Sequence, residues 1–276
     1  MDLNSLINKA INRFKWYFDS CYWEFCRFLR KQPDHNASEI ALTIGITTFL
    51  NRYDYCFKPL LIKTAFLFPE CQIIVAANGN VLKEKQQIYL SEIRKFCNLF
   101  SNVELIEYSD PMGLSHLWNQ IIFRAANRKV LMLNDDLKIR VGFRKFILES
   151  GIVNESVATI NSSWSHFLIS MDIFNLTGQF DEGLKEIGGE DDDYMARLAM
   201  LSIEPGNYRT DAIASKDKKR GRAGGFNSYG KDMSKEEGGY STLNVNYLNG
   251  KWKISDEYFD GAVEIRRRKN RYWKLR

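Results

Sequence analysis

From residue 41 the chain alternates short β-branched runs with longer segments whose apolar residues recur at helical spacing. Residues 41–47 read as a strand, 53–68 as a helix ending before Pro69, and 71–76 as a strand stopped by Asn78-Gly79-Asn80. The same rhythm gives a helix over 81–100, a strand over 103–107, a helix over 113–127 and a strand over 129–133. Strands alternating with helices predict an α/β chain with a mostly parallel sheet and right-handed crossovers. Beyond residue 150 the order becomes mixed, with strands over 156–161 and 166–170, a short helix over 171–176 and a longer one over 190–201. Ahead of all this, residues 3–31 place Leu3, Leu6, Ile7, Ile11, Phe14 and Phe18 on one helical face, with Lys9, Arg13, Lys15, Arg27, Arg30 and Lys31 as a basic complement. The organisation expected is an N-terminal amphipathic helix and linker (1–38), a single α/β domain (39–252) and a basic C-terminal tail (253–276).

Composition narrows the class. A chain of 276 residues with 45% hydrophobic and 26% charged residues is ordinary globular material. No apolar run reaches about 18 residues, so no spanning helix is expected. Five cysteines form neither a CxxC pair nor a metal-ligand spacing, which fits reduced core thiols in a cytoplasmic protein. Charge changes the picture more. Residues 262–276 carry seven Lys/Arg against one Glu, and residues 1–31 carry six against three acids, within a net charge of +5. The stretch between is therefore acidic. Basic ends suit an anionic surface, so a peripheral place at the inner face of the cell membrane is expected. Repeated phosphate-tracking aromatics are absent, which argues against a nucleic-acid partner. A homo-oligomer is left open. Residues 214–240, rich in Gly, Ser, Lys and Asp, read as a loop. Its Lys216, Lys218, Lys219, Arg220 and Arg222 have the charge for a lid over a diphosphate.

Two acidic clusters carry the chemistry. Asn134-Asp135-Asp136 follows the apolar strand Val130-Leu-Met-Leu133, and in parallel sheets ligands bind at the carboxyl ends of strands. Hard cations such as Mg²⁺ and Mn²⁺ take oxygen ligands and bridge to substrate phosphates. Further on, Gly188-Gly189 precedes Glu190-Asp191-Asp192-Asp193 at the start of a helix. The helix dipole favours acids there, but four in a row repel one another and call for compensation. Arg197, four residues past Asp193, can supply part of it.

Six stretches, in order, resemble family 2 glycosyltransferases of the bacterial surface-glycan type, which have the GT-A fold. They are Thr43-Ile-Gly-Ile-Thr-Thr-Phe-Leu-Asn-Arg52, Ile73-Ile-Val-Ala-Ala-Asn-Gly-Asn80, Gly113-Leu-Ser-His-Leu-Trp-Asn-Gln120, Val130–Asp136, Phe167-Leu-Ile-Ser with Thr177-Gly-Gln-Phe-Asp-Glu182, and Gly189-Glu-Asp-Asp-Asp with Arg197. The resemblance implies a nucleotide-diphospho-sugar transferase fold, with a mixed, mostly parallel central sheet flanked by helices. It also implies a nucleotide-diphosphate sugar donor, a divalent metal (Mn²⁺ or Mg²⁺), and inverting transfer to a hydroxyl of a glycan or lipid-linked glycan. On its pattern Thr47, Thr48 and Arg52 border the nucleotide, Asn78 meets the base, and Asp135 and Asp136 hold ribose and metal, with Asn134 as a further ligand. Asp191 is the general base, with Glu190 on the acceptor side. Three departures stand out. Asn134 replaces the first acid of the DxD-like motif, Asn78 stands where an Asp is usual, and the 209–219 stretch has no metal-binding His, Ser215 or Lys216 occupying that place. A non-catalytic GT-A-like scaffold subunit is the alternative these departures favour.

Overall fold

The computed structural model describes residues 40–186, 188–215 and 242–252. The N-terminal helix read over 3–31, the basic tail and the Lys/Arg-rich part of the 214–240 loop lie outside the described residues.

A seven-stranded sheet organises the molecule. Its strands are β1 (Thr43–Thr48), β2 (Gln72–Ala77), β3 (Val103–Glu107), β4 (Lys129–Asn134), β6 (Val157–Ile160), β7 (Ser163–Ser170) and β8 (Gly206–Tyr208), in the spatial order β3-β2-β1-β4-β7-β6-β8. The first four run parallel; β7 is antiparallel to both β4 and β6. Two short strands, β5 (Leu137–Ile139) and β9 (Ile213–Ser215), pair separately.

Alternate residues of the central strands feed two cores. Ile44, Ile46, Ile73, Val75, Leu131 and Leu133 pack on one face beneath α1 (Lys58–Leu67), α2 (Lys83–Cys97) and α4 (Gly142–Glu149). Ile74, Ala76, Val130 and Met132 pack on the other against α3 (Leu114–Phe123), α5 (Met171–Thr177) and α6 (Glu190–Met200). Both faces of the sheet are thus covered, which is why the central strands β1, β2 and β4 are buried almost throughout, while the edge strands β3 and β8 carry polar residues. At Gly45 a side chain would meet Ile121 and Met132 at 2.5 Å, so glycine lets α3 lie close on β1.

The expected elements are present with shifted ends, and the shifts have causes. The helix read over 53–68 opens as a π turn (Tyr53–Phe57) before α1. Pro59 has no N–H to give the carbonyl four residues back, and the turn ahead of it widens. The helix read over 113–127 stops at Phe123 because the next residues tie off the lower end of the sheet. There Ala126 N–H donates to Gln72 Oε1 at 2.7 Å and Asn127 N–H to Thr43 Oγ1 at 3.3 Å.

The register sets the site. Thr47 lies opposite Asn134 across the β1–β4 ladder, and Leu133 opposite His166 on β7. The carboxyl ends of β1 and β4 and the beginning of β7 therefore share one edge.

Candidate functional site

Arg52 ends the 3-10 turn Leu50–Arg52 directly after β1, and reaches across to the end of β4. Its Nη1 donates to Asp135 Oδ1 at 2.8 Å and lies 3.9 Å from Asp136 Oδ2. Asp135 is 2% exposed; its other oxygen, Oδ2, sits beside Thr48 with no hydrogen bond of ordinary geometry. Burial pushes the Asp135 carboxyl up, and the guanidinium opposes it. For Arg52 burial works against the charge, but Asp135 and Asp136 outweigh it and hold the guanidinium above its ordinary range. The phenol of Tyr89, fully buried on α2 near Thr48 and Asp135, is likewise pushed well up by burial.

Asn78 follows β2 and is buried. Its Oδ1 accepts from Gly79 N and Met112 N, each at 2.8 Å, and its Nδ2 donates to Met112 O at 2.9 Å. Gln86 secures the same loop from α2, donating to Asn78 O at 3.1 Å and Tyr108 O at 2.8 Å. The side chain expected at the base thus ties the β2 loop to the segment ahead of α3.

At the start of α6 the four consecutive acids have four different surroundings. Glu190 is buried and turned back, both oxygens accepting from Gly188 N at 2.9 Å. Burial, with Asp191 and Asp192 adding to it, pushes its carboxyl up to about 8. Near neutral pH it is mostly protonated. Asp193, also buried, is neutralised as its spacing suggested: Arg197 Nε and Nη2 lie 3.0 and 2.9 Å from its Oδ2. Its other oxygen takes Lys251 Nζ at 2.7 Å and Trp252 Nε1 at 3.1 Å. Asp191 and Asp192 are half-buried. The helix is seated by rings: Tyr194 stacks on Phe180 at 4.1 Å and meets Trp164 at 6.0 Å. Trp164, at the beginning of β7, is a core residue against Phe167, and it sets the acidic turn at the edge that carries Asn134-Asp135-Asp136.

Among solved structures the chain is similar to mannosyltransferase PcManGT from Pyrobaculum calidifontis, in complex with GDP-Man and Mn²⁺. The match has a TM-score of 0.51 and 12% identity, and covers 78% of this chain and 69% of that one. It is also similar to S. aureus TarS 1-349 in complex with UDP-GlcNAc, with a TM-score of 0.51, 15% identity, and 82% and 69% covered. The fold is GT-A. No family model matches the chain, and no curated protein does.

Within the GT-A frame, stretches far apart in sequence meet. Buried Asn119 of α3 donates to Phe180 O and Glu182 Oε1, each at 2.9 Å, and accepts from Phe180 N at 2.9 Å. Glu182 also contacts His116 Nδ1 at 2.9 Å. His166 is buried and its imidazole is driven down to about 4 by burial, so it stays neutral near Asp136. The β5–β9 ladder pairs Leu137 with Ser215, one residue beyond Asp136. A serine thus lies near the strand-end acids.

Among the described residues no group of three or more His, Cys, Asp or Glu could hold a metal. Asp135 is committed to Arg52, while Asp136 is partly exposed and has no contact to Arg52 shorter than 3.9 Å. One carboxylate, with the amide oxygen of Asn134 beside it, suits a cation that takes the rest of its shell from substrate phosphates and water.

The sequence left Lys251 and Trp252 without a role. They close α7 (Thr242–Lys251), whose Asn244 Nδ2 donates to Gly188 O at 2.8 Å and whose Leu248 packs on Gly189. In the sequence Lys251-Trp252 resembles a C-terminal element of bacterial glycosyltransferases without an assigned role, and the excess of acid at 190–193 calls for cations from elsewhere.

Proposed function

We propose that the chain is an inverting, metal-dependent glycosyltransferase of family 2. It moves a sugar from a nucleotide-diphosphate donor to a hydroxyl of a glycan or lipid-linked glycan. The observation that carries this reading is a pair of unlike acidic centres, one on the ends of β1 and β4 and one on α6, linked through β7, where His166 lies opposite Leu133 and Trp164 meets Tyr194 at 6.0 Å. One is the Arg52–Asp135 pair with Asp136; the other is the α6 turn that presents Asp191.

Thr47, Thr48 and Arg52 border the nucleotide, and Asn78 shapes the base side through its tie to Met112. Asp135, fixed by Arg52, keeps an acceptor oxygen for the ribose. Asn134 and Asp136 would hold a divalent cation, which when bound neutralises charge on the leaving diphosphate. Asp191 takes the proton from the acceptor hydroxyl as that oxygen attacks the anomeric carbon. The carbon–oxygen bond to the diphosphate breaks, and its electron pair leaves with the nucleoside diphosphate. Attack on the face opposite the leaving group inverts the centre. Glu190, protonated and facing Gly188, shapes the acceptor side by fixing the turn. In the cell the acceptor is met at the inner membrane face, which the basic ends of the chain favour.

A panel of nucleotide sugars with and without Mn²⁺ tests this by thermal shift and by release of nucleoside diphosphate. At least one donor raises the melting temperature in a Mn²⁺-dependent manner and is turned over. Asn134 favours a second reading, a GT-A subunit that binds without catalysis; donor-induced stabilisation with no turnover on any acceptor selects it. Absence of both overturns both.

A further inference from the structure

We propose that Lys251 is a positioning residue for the acceptor end of the site, and that α7 acts as the latch that presents Asp191. This rests on the reading of Asp191 as base.

Asn244 and Leu248 fasten α7 to the turn that begins α6, and Tyr247 ties it to Asp181 in the loop after α5. Asn244 Nδ2 donates to Gly188 O at 2.8 Å, and its Oδ1 accepts from Glu186 N at 3.3 Å. Leu248, 3% exposed, lies where a side chain on Gly189 would come within 2.6 Å of it. Gly189 has φ +93, so both the left-handed backbone and the space taken by Leu248 require glycine there. Tyr247 hydroxyl donates to Asp181 Oδ2 at 3.0 Å.

Lys251 closes the arrangement. Its ammonium lies 2.5 Å from Asp181 Oδ2 and 2.7 Å from Asp193 Oδ1, so one cation joins the loop after α5 to the first turn of α6. Asp193 is 1% exposed and Arg197 reaches only its Oδ2, which leaves Oδ1 to Lys251 and Trp252. Asp191 lies two residues earlier in the same turn. Without Lys251 the buried Oδ1 loses its cation, and the turn relaxes toward solvent or toward the neighbouring acids. The donor end, built on β1 and β4, does not touch α7 in any of these contacts. The latch therefore governs proton removal and not donor binding.

The test compares wild type, Lys251→Met, Lys251→Arg and Trp252→Phe in the full-length chain. It reads kcat, donor affinity, melting temperature and amide hydrogen exchange over residues 188–194. In Lys251→Met, kcat falls about 100-fold, the scale of a small displacement of a reacting group, while donor affinity stays within about twofold of wild type. Exchange over 188–194 accelerates. Lys251→Arg restores kcat to within about tenfold, and Trp252→Phe, which removes only the indole donor, gives the milder loss. Should Lys251→Met not fold, the arginine and phenylalanine variants carry the comparison through the same readouts. Unchanged kcat and unchanged exchange in Lys251→Met, or in Trp252→Phe where Lys251→Met does not fold, overturn the proposal. So does a parallel loss of donor affinity and kcat, which marks general destabilisation. If wild type turns over no donor, the catalytic reading fails; accelerated exchange in Lys251→Met still establishes the latch, and unchanged exchange removes it.

Discussion

Asp135 and Glu190 are both buried carboxylic acids at the functional edge, and they are treated in opposite ways. Asp135 has a guanidinium at 2.8 Å, carried on the turn that leaves β1, so its charge is met by a residue the sheet itself places. Among the described residues no cation pairs with Glu190; it accepts from the Gly188 amide, and burial leaves it at about 8. The centre at the ends of β1 and β4 is thus organised as an ion pair. The α6 turn is organised by removing the charge of Glu190 and neutralising that of Asp193 with Arg197 and Lys251. The first can be complete once the sheet has formed. The second also needs α7, which arrives from the far side of residues 216–241.

Changing Arg52 breaks the comparison most severely. Arg52→Met leaves Asp135 buried without its cation and costs about 3–5 kcal/mol of stability. Urea unfolding measures it, and equal stability of variant and wild type would show that the pair is not what organises the strand end. Asn134→Asp adds charge where the DxD-like motif lacks it. Mn²⁺ affinity rises about tenfold, since cation affinity follows the charge of the ligand set; calorimetric titration in the presence of donor reads it, and weaker binding speaks against Asn134 as a ligand.

A pH-dependent effect sharpens the contrast. The folded Glu190 carboxyl titrates at about 8, above its ordinary 4.5, so between these values the folded chain binds more protons than the unfolded one. The stability Glu190 contributes is complete below pH 4.5 and is lost as pH rises toward 8. Glu190→Gln mimics the protonated form at every pH. It matches wild type near pH 4.5 and is more stable at pH 8 by about 4 kcal/mol, since each pH unit between the two values is worth about 1.4 kcal/mol, and thermal melts at the two pH values read the difference. A variant that melts lower at pH 8 would mean that the turn needs the carboxylate charge.

The part of this architecture that could be read from sequence follows from how local each signal is. Strand β3 falls on the expected 103–107, and the helix at 190 begins where the acids and glycines place it. Arg197 meets Asp193 because a helix fixes that spacing. Other features have no local signature. Strands β5 and β9 are three residues each, too short for a period to show, yet they bring Ser215 beside the strand-end acids. Arg52 and Asp135 are 83 residues apart, and only the β1–β4 ladder brings them together. The residues of α7 offer little apolar periodicity, because this helix meets the molecule through Asn244, Tyr247 and Lys251 as much as through Leu248. Asn78 reads as a base contact by position, while its amide is engaged with Met112.

The division of the edge into a donor end and an acceptor end is tested most directly by Asp191→Asn, with donor affinity and kcat for transfer measured on the same preparation. Donor affinity within about twofold of wild type, with kcat reduced by about 1,000-fold, is the result expected of a lost general base. Transfer at the wild-type rate, or donor affinity lost in step with kcat, would contradict it.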